Sequence, residues 1–243
     1  MTSGIRDSSP PEKDDPRNRA SGRSAGPRRI GTYKVYPNPL ARLELPPPAQ
    51  EGGRGIWTAL LERSSTRDYS ADPVSLEQAS QLLWASQGIT REGGEWQFRT
   101  APSAGALYPI ETYLAANRVQ ELLPGLYHYE VRNHRLAFLR EDEFIGMALT
   151  RAALGQTVCQ RAAAIFIWTA VIARSVRKYG ERAYRYIYMD AGHVAQNLYL
   201  AATALGLGCC AVGAFFDDEV NAVLDVDGRE ETTVYLATIG QRG

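Results

Sequence analysis

The strongest constraint on the fold is the stretch 162–173, AAAIFIWTAVIA, which carries no charge and a single hydroxyl. An alternating strand keeps one face for water. A continuous run rich in β-branched and aromatic residues has none to give. The run therefore predicts a strand at the centre of a sheet covered on both faces. The cover is expected to include Glu181–Leu205, the longest helix of the chain. In it Tyr184, Ile187, Tyr188, Ala191, Val194, Ala195, Leu198, Leu200 and Ala201 leave few polar positions, which suits a core or dimer helix.

The remaining periodicities fill in a coarse map. Ile56, Leu60 and Leu61 predict a short helix. Ser75 with Gln78 is a capping signal for a second, which carries Leu76, Leu82, Leu83 and Trp84 and ends at Gly88. Pro109–Ala116 reads as a strand, and Leu126–Val131 with Arg135–Leu139 as a hairpin around Asn133–His134. A helix over Glu141–Leu154, a strand near Cys210–Val212, a helix at Asp217–Leu224 and a strand at Thr233–Ile239 complete it. This order points to an α+β layered sandwich and not to a regular βαβ series. Residues 1–30, rich in Ser, Gly, Pro and charge, are expected to be a disordered tail, and 31–53, with scattered Tyr and Pro, an extended arm. Regular structure is expected from near Gly55, and 54–243 is read as the single folded domain. No internal repeat is visible.

Charge and cysteine content narrow the function classes. Twenty-seven basic side chains balance 27 acidic ones, which argues against nucleic acid or an anionic membrane as the main partner. Only Lys13, Lys34 and Lys178 of the basic set are lysines, so Lys178 stands out in a chain of arginines. Cys159, Cys209 and Cys210 form no CxxC and no metal spacing, so neither a disulfide framework nor a metal site is expected. No signal-peptide core or membrane-length apolar run is present, and the expected compartment is the cytoplasm.

Three segments carry chemistry. In Arg63-Ser64-Ser65-Thr66-Arg67-Asp68-Tyr69 two guanidiniums four apart, with hydroxyls between, can surround a phosphate. Alternatively the segment is a solvated helix end in which Arg67 caps carbonyls or pairs with Asp68. Thr100–Pro109 (TAPSAGALYP) brings small residues into a strand, as a planar ligand approaching the backbone requires, or as any tight loop would. Gly206–Phe215 (GLGCCAVGAF) follows a helix and precedes a strand, the reverse of the dinucleotide-binding order, so a Rossmann reading is rejected. Gly206 and Gly208 read as a helix cap, with Ala211–Ala214 offering backbone donors at a strand end. His193 and Asn197 could face a site or satisfy buried hydrogen bonds, the latter being the commoner role of such groups. His128 is read as structural or exposed.

RSSTRDY, PSAGALYPIETY, GLYHY, KYGERAYRY, DAGHVAQNLYLAATALGLG and the closing IGQR occur in an order that resembles the nitroreductase-like flavoprotein superfamily, specifically its SagB/ThcOx-type dehydrogenase branch, over roughly residues 55–243. The resemblance implies a layered α/β/α sandwich with a mixed central sheet, an intertwined homodimer and two FMN sites at the subunit interface. By position it implies that Arg63, Ser65 and Arg67, with Ser64 adjacent, hold the phosphate and ribityl chain, and that Arg242 adds a second charge. Pro102, Ser103, Ala104 and Gly105 would lie against the flavin from the partner chain, and Val212, Gly213 and Ala214 would border its ring. Ala106 stands where many nitroreductases place a flavin-contacting Asn. Lys178-Tyr179 falls where the peptide-modifying members carry a Lys-Tyr base pair. The alternative for that pair is a solvated helix end and a packing aromatic.

The expected activity is an FMN-dependent dehydrogenase that oxidises a heterocyclic, azoline-like or small-molecule substrate, the substrate being free or delivered by a biosynthetic partner protein. The alternatives are an NAD(P)H-dependent reductase of nitro groups, quinones or enones, and a non-catalytic flavin-binding partner subunit.

Overall fold

The computed structural model describes residues 31–93 and 96–243. The expected tail at 1–30 lies outside the described residues. The predicted central strand forms as β7 (Ala164–Val171), with β4 (Ile110–Ala116) on one side and β9 (Glu231–Gly240) on the other. Seven strands lie in the order β1 (Ala41–Glu44), β6 (Arg135–Glu141), β5 (Gly125–Glu130), β4, β7, β9, β8 (Gly208–Val212). A separate two-stranded ribbon joins β2 (Ile89–Gly93) to β3 (Trp96–Arg99).

β7 divides its side chains between two cores, which is the physical meaning of its unbroken apolarity. Ala164, Phe166, Trp168 and Ala170 pack with Leu82, Leu83, Ile187, Val194 and Leu198. These come from α2 (Leu76–Gln87) and α6 (Ala183–Ala204). On the opposite face Ile165 and Ile167 pack with Ile145, Leu149, Val220 and Leu224. That layer is built from α3 (Ile145–Ala152), α4 (Val158–Arg161) and α7 (Asp217–Leu224). The result is the expected helix–sheet–helix sandwich. Each fully buried Phe, Leu or Ile on these faces contributes roughly 1.5–3 kcal/mol.

The α2 cap forms as read: Ser75 Oγ accepts from the Gln78 amide and Gln78 Oε1 from the Ser75 amide, at 3.2 and 3.0 Å. Gly88 ends the helix. The short first helix is α1 (Ile56–Glu62).

Four expectations change. The parallel element of the expected mixed sheet reduces, among the described residues, to two isolated bridges, Ser65 to Cys209 at the β8 edge and Val74 to Val119; every pairing between the seven strands is antiparallel. Short hairpin links and helical returns bring successive strands back with reversed direction. Regular structure starts at β1, upstream of Gly55, because Ala41–Glu44 finds the free edge of β6. The helix expected from Glu141 starts only at Ile145, since the β6 ladder with β5 extends through Glu141. Finally, the central strand stops at Val171 and the chain turns into an additional helix, α5 (Ile172–Tyr179), which ends at Gly180 with φ +54°.

Candidate functional site

Residues 63–67 leave α1 and run along the outer edge of β8. The outward groups of that edge are taken up in order: Cys209 O accepts from the Thr66 amide at 2.9 Å, and the Ala211 amide donates to Tyr199 Oη at 2.7 Å. Tyr199 Oη also lies 3.0 Å from Ser65 Oγ, and the Arg63 guanidinium sits 5.5 Å over the Tyr199 ring. Arg63 lies near Cys209 and Arg67 near Cys210; each guanidinium favours the thiolate, but burial outweighs it and both thiols are pushed up. Arg242 joins the same edge, its Nε donating to Leu207 O at 3.3 Å and its backbone bridging Tyr69.

Among the described residues neither the Arg63 nor the Arg67 guanidinium has a hydrogen-bonded acceptor or a carboxylate partner. Asp68, the partner considered for Arg67, approaches Arg161 instead at 3.6 Å. Ser64 is exposed. Guanidiniums and a hydroxyl collected without a carboxylate among them fit a phosphate-sized anion.

The second cluster gathers around the loop 102–108. Gly105, Ala106 and Tyr108 all have positive φ, +62°, +53° and +46°. Such a left-handed path is held only where surrounding contacts fix it. The anchor is Asp190 of α6, whose carboxylate accepts from Ser103 Oγ at 2.6 Å and the Ala104 amide at 3.2 Å; Ser103 Oγ in turn accepts from the Tyr108 amide at 2.9 Å. Burial raises the Asp190 pKa, and the two donors offset part of that rise. Pro102 and Gly105 are exposed, Ser103 and Ala104 half-buried.

Lys178 and Tyr179 close on this loop from α5. A Cβ placed on Gly105 would lie 2.5 Å from Tyr179 Oη and 2.7 Å from Lys178 Nζ, so both polar heads flank the same point of bare backbone. Lys178 is exposed in the single chain and Tyr179 half-buried against Tyr186, ring centroids 4.8 Å apart.

Arg174, one helical turn before Lys178, ties α5 down. Its Nη1 donates to Tyr108 O at 3.0 Å and lies 2.5 Å from Glu111 Oε1, and its Nε donates to Gly31 O at 2.9 Å. Glu111 is completely enclosed, and burial alone would raise its pKa; Arg174, then His128 at 2.9 Å, hold it down at about 2. His128 is therefore structural and buried. Asn197 spends its amide on Ala85 O at 3.1 Å, whereas His193 is exposed.

The two clusters occupy different flanks of α6. Asp190 and Tyr199 are nine residues apart, which is about 180° around the helix and roughly 13 Å along it. Val212 is buried at the end of β8, with Gly213 and Ala214 exposed beyond it. The structure thus brings Arg63, Ser65, Arg67 and Arg242 together along β8, and Ser103, Ala104, Gly105, Lys178 and Tyr179 together beside α5. Among the described residues no hydrogen bond or ion pair joins the two sets within one chain. Asp190 and Tyr199 were not among the residues singled out from sequence. Asp190 could have been, as an acid in a mostly apolar helix; Tyr199 reads as one more core aromatic. Among the described residues no cluster of His, Cys, Asp and Glu could hold a metal ion, and no helix is long and apolar enough to cross a membrane.

Comparison with known proteins gives one consistent answer. Residues 60–241 match the model of the Nitroreductase family. A Methanocaldococcus jannaschii protein named as a nitroreductase is 39% identical over 183 residues, covering 75% of this chain and 89% of that protein. The trifolitoxin-processing protein TfxB of Rhizobium leguminosarum bv. trifolii is 34% identical over 138 residues, 55% of this chain but only 37% of TfxB. Two crystal structures named as nitroreductases are similar in fold. One, from Ralstonia eutropha, has TM-score 0.71 and 27% identity over 87% of this chain and 98% of that one. The other, from Anabaena variabilis, has TM-score 0.67 and 31% identity over 77% of this chain and 38% of that one.

Proposed function

This chain belongs to the nitroreductase family, and from that premise we propose that it is an FMN-dependent dehydrogenase of the SagB/ThcOx type, working as a homodimer on an azoline-like heterocycle or another small, electron-rich substrate. The observation that carries the reading is the convergence of Lys178 Nζ and Tyr179 Oη on the bare backbone of Gly105. A side chain at 105 would fill the place where two proton-handling groups face a small-residue loop.

FMN, when bound, supplies a ring that accepts hydride from the substrate carbon. The chain's own residues do the rest. Arg63, Ser65, Arg67 and Arg242 hold the phosphate, with Ser64 beside them, while Pro102, Ser103, Ala104 and Gly105 give the flat, small surface. Val212, Gly213 and Ala214 border it with backbone donors. Lys178 or Tyr179 takes the proton that leaves the substrate as the hydride departs. Asp190 keeps the loop at a fixed height by holding Ser103 and Ala104.

Position and exposure support the homodimer. The phosphate cluster and the loop lie on opposite flanks of α6, and a second copy supplying the loop would let one flavin meet both. Trp57 and Leu61 of α1 are 81% and 86% exposed, and Tyr188 and Met189 of α6 are open as well. An apolar surface of that kind calls for a cover. The name of TfxB, a trifolitoxin-processing protein, supports a place in the processing of a biosynthetic product, and a biosynthetic partner protein would deliver the substrate. Three buried cysteines without a disulfide suit the cytoplasm.

A second reading, NAD(P)H-dependent reduction of nitro groups, quinones or enones, is supported by the nitroreductase names of the M. jannaschii and R. eutropha proteins. Purified full-length protein is expected to be yellow with about one FMN per chain. Protein that stays colourless after incubation with FMN refutes both readings. Anaerobic mixing with NADH or NADPH separates them: rapid bleaching favours the reductase, and inertness the dehydrogenase.

A further inference from the structure

We infer that Tyr199 is a positioning residue that turns Ser65 into a fixed hydrogen-bond donor toward the flavin phosphate. The inference rests on the FMN reading above and adds to it a residue outside the set assigned to the phosphate. Its basis is the direction of a hydrogen-bond chain. The Ala211 amide has one proton and gives it to Tyr199 Oη at 2.7 Å. With that oxygen engaged as acceptor, the phenol proton goes to its other neighbour, Ser65 Oγ, at 3.0 Å. Ser65 then accepts from Tyr199, and its own proton is left to donate outward, on the side where Arg63 and Arg67 lie.

Three donors aligned head to tail, amide to phenol to hydroxyl, polarise one another in the same sense. The far end of such a chain suits an anion and not a cation. A lone serine hydroxyl would rotate freely and lose that bias. The Tyr199 ring adds a second function, because the Arg63 guanidinium lies over it at 5.5 Å. One side chain thus orders both a hydroxyl and a guanidinium of the phosphate cluster, and fastens them to the strand leading to Val212, Gly213 and Ala214.

Tyr199→Phe keeps the ring under Arg63, removes the relay and leaves the Ala211 amide without its acceptor. The test compares dissociation constants of the flavin-stripped full-length chain for FMN and for riboflavin, which carries the same ring without the phosphate, by quenching of flavin fluorescence. Tyr199→Phe is expected to weaken FMN by about threefold to tenfold, the range of one neutral hydrogen bond, because the Tyr199–Ser65 bond is lost while Ser65 itself stays, and to leave riboflavin unchanged. Adding Ser65→Ala to Tyr199→Phe should then cost less than Ser65→Ala costs alone, since both act through one proton.

Equal weakening of FMN and riboflavin would make Tyr199 a packing residue only and overturn the proposal. So would an unchanged FMN constant, or strictly additive losses. If Tyr199→Phe does not fold, Ser65→Ala against Ser65→Thr replaces it: loss of the FMN preference in the first and its retention in the second support an outward donor at this position, and equal behaviour overturns it. A wild-type chain that binds neither flavin refutes the FMN reading itself, and this proposal with it.

Discussion

Replacing Gly105 by Ala tests the convergence of Lys178 and Tyr179 most directly. Two costs are separable. The backbone at 105 has φ +62°, and an L-residue there costs about 1–2 kcal/mol more than glycine. For a chain of this length each 1 kcal/mol lowers Tm by roughly 2–4 °C, so a fall of about 2–8 °C is expected by calorimetry. The steric cost falls elsewhere. The new methyl would stand 2.5 Å from Tyr179 Oη and 2.7 Å from Lys178 Nζ, and both atoms are the ends of flexible side chains that can swing aside without moving backbone. Displacing reacting groups by about 1 Å typically costs about a hundredfold in rate. Gly105→Ala is therefore expected to bind FMN, melt a few degrees early, and reduce substrate-driven bleaching of the flavin by roughly two orders of magnitude. In a Lys178→Ala/Tyr179→Ala background the same change should remove no further activity, because nothing is left to displace. Turnover within a factor of two of wild type in Gly105→Ala would refute the assignment of both groups to the reaction.

Other outcomes follow from burial and charge. Cys159, Cys209 and Cys210 are almost fully enclosed and burial raises all three thiols, Cys159 to about 12; a disulfide-exchange reagent at pH 8 should find no thiol in the native chain and three in denaturant. Glu111 is held at about 2 when folded against an ordinary 4.5, so its contribution is complete above pH 4.5 and is lost as pH falls from there toward 2; Glu111→Gln, measured by denaturant melts, should be less stable at pH 7 and flatten that acid limb. Trp57→Glu with Leu61→Asp should leave the fold of a single chain intact, because both side chains already face solvent, yet shift light scattering from dimer to monomer; an unchanged mass would remove α1 from the interface.

Where the physics is local, the chain could be read directly. Ser75 and Gln78 announce the start of α2 because both partners of the capping box lie within one turn. The β7 run declares its own double burial, since no other placement accommodates so many apolar side chains in sequence. Elements fixed by distant partners were hidden. Ala41–Glu44 alternates apolar and charged residues over only four positions, too short to stand out, and becomes a strand because β6, some ninety residues later, offers it an edge. Ile172–Tyr179 begins as apolar as the strand before it, with no capping side chain at Val171 to mark the change, and the helix is visible only once Arg174 finds Glu111 and Tyr108. The site shows the same division. Arg63, Ser65 and Arg67 stand out in the text as a cluster, whereas Tyr199 acquires its role from Ala211 and Ser65, neither of which is near it in sequence.

The half-turn that separates Asp190 from Tyr199 on α6 has a genetic consequence. If each working centre borrows its loop from one copy and its guanidiniums from the other, a polypeptide crippled at Arg67 and another crippled at Lys178 are each inert alone but complementary when co-expressed. Random pairing makes half of the assemblies hybrid, and every hybrid concentrates both lesions in one centre and leaves its twin whole, so about a quarter of the normal complement is restored.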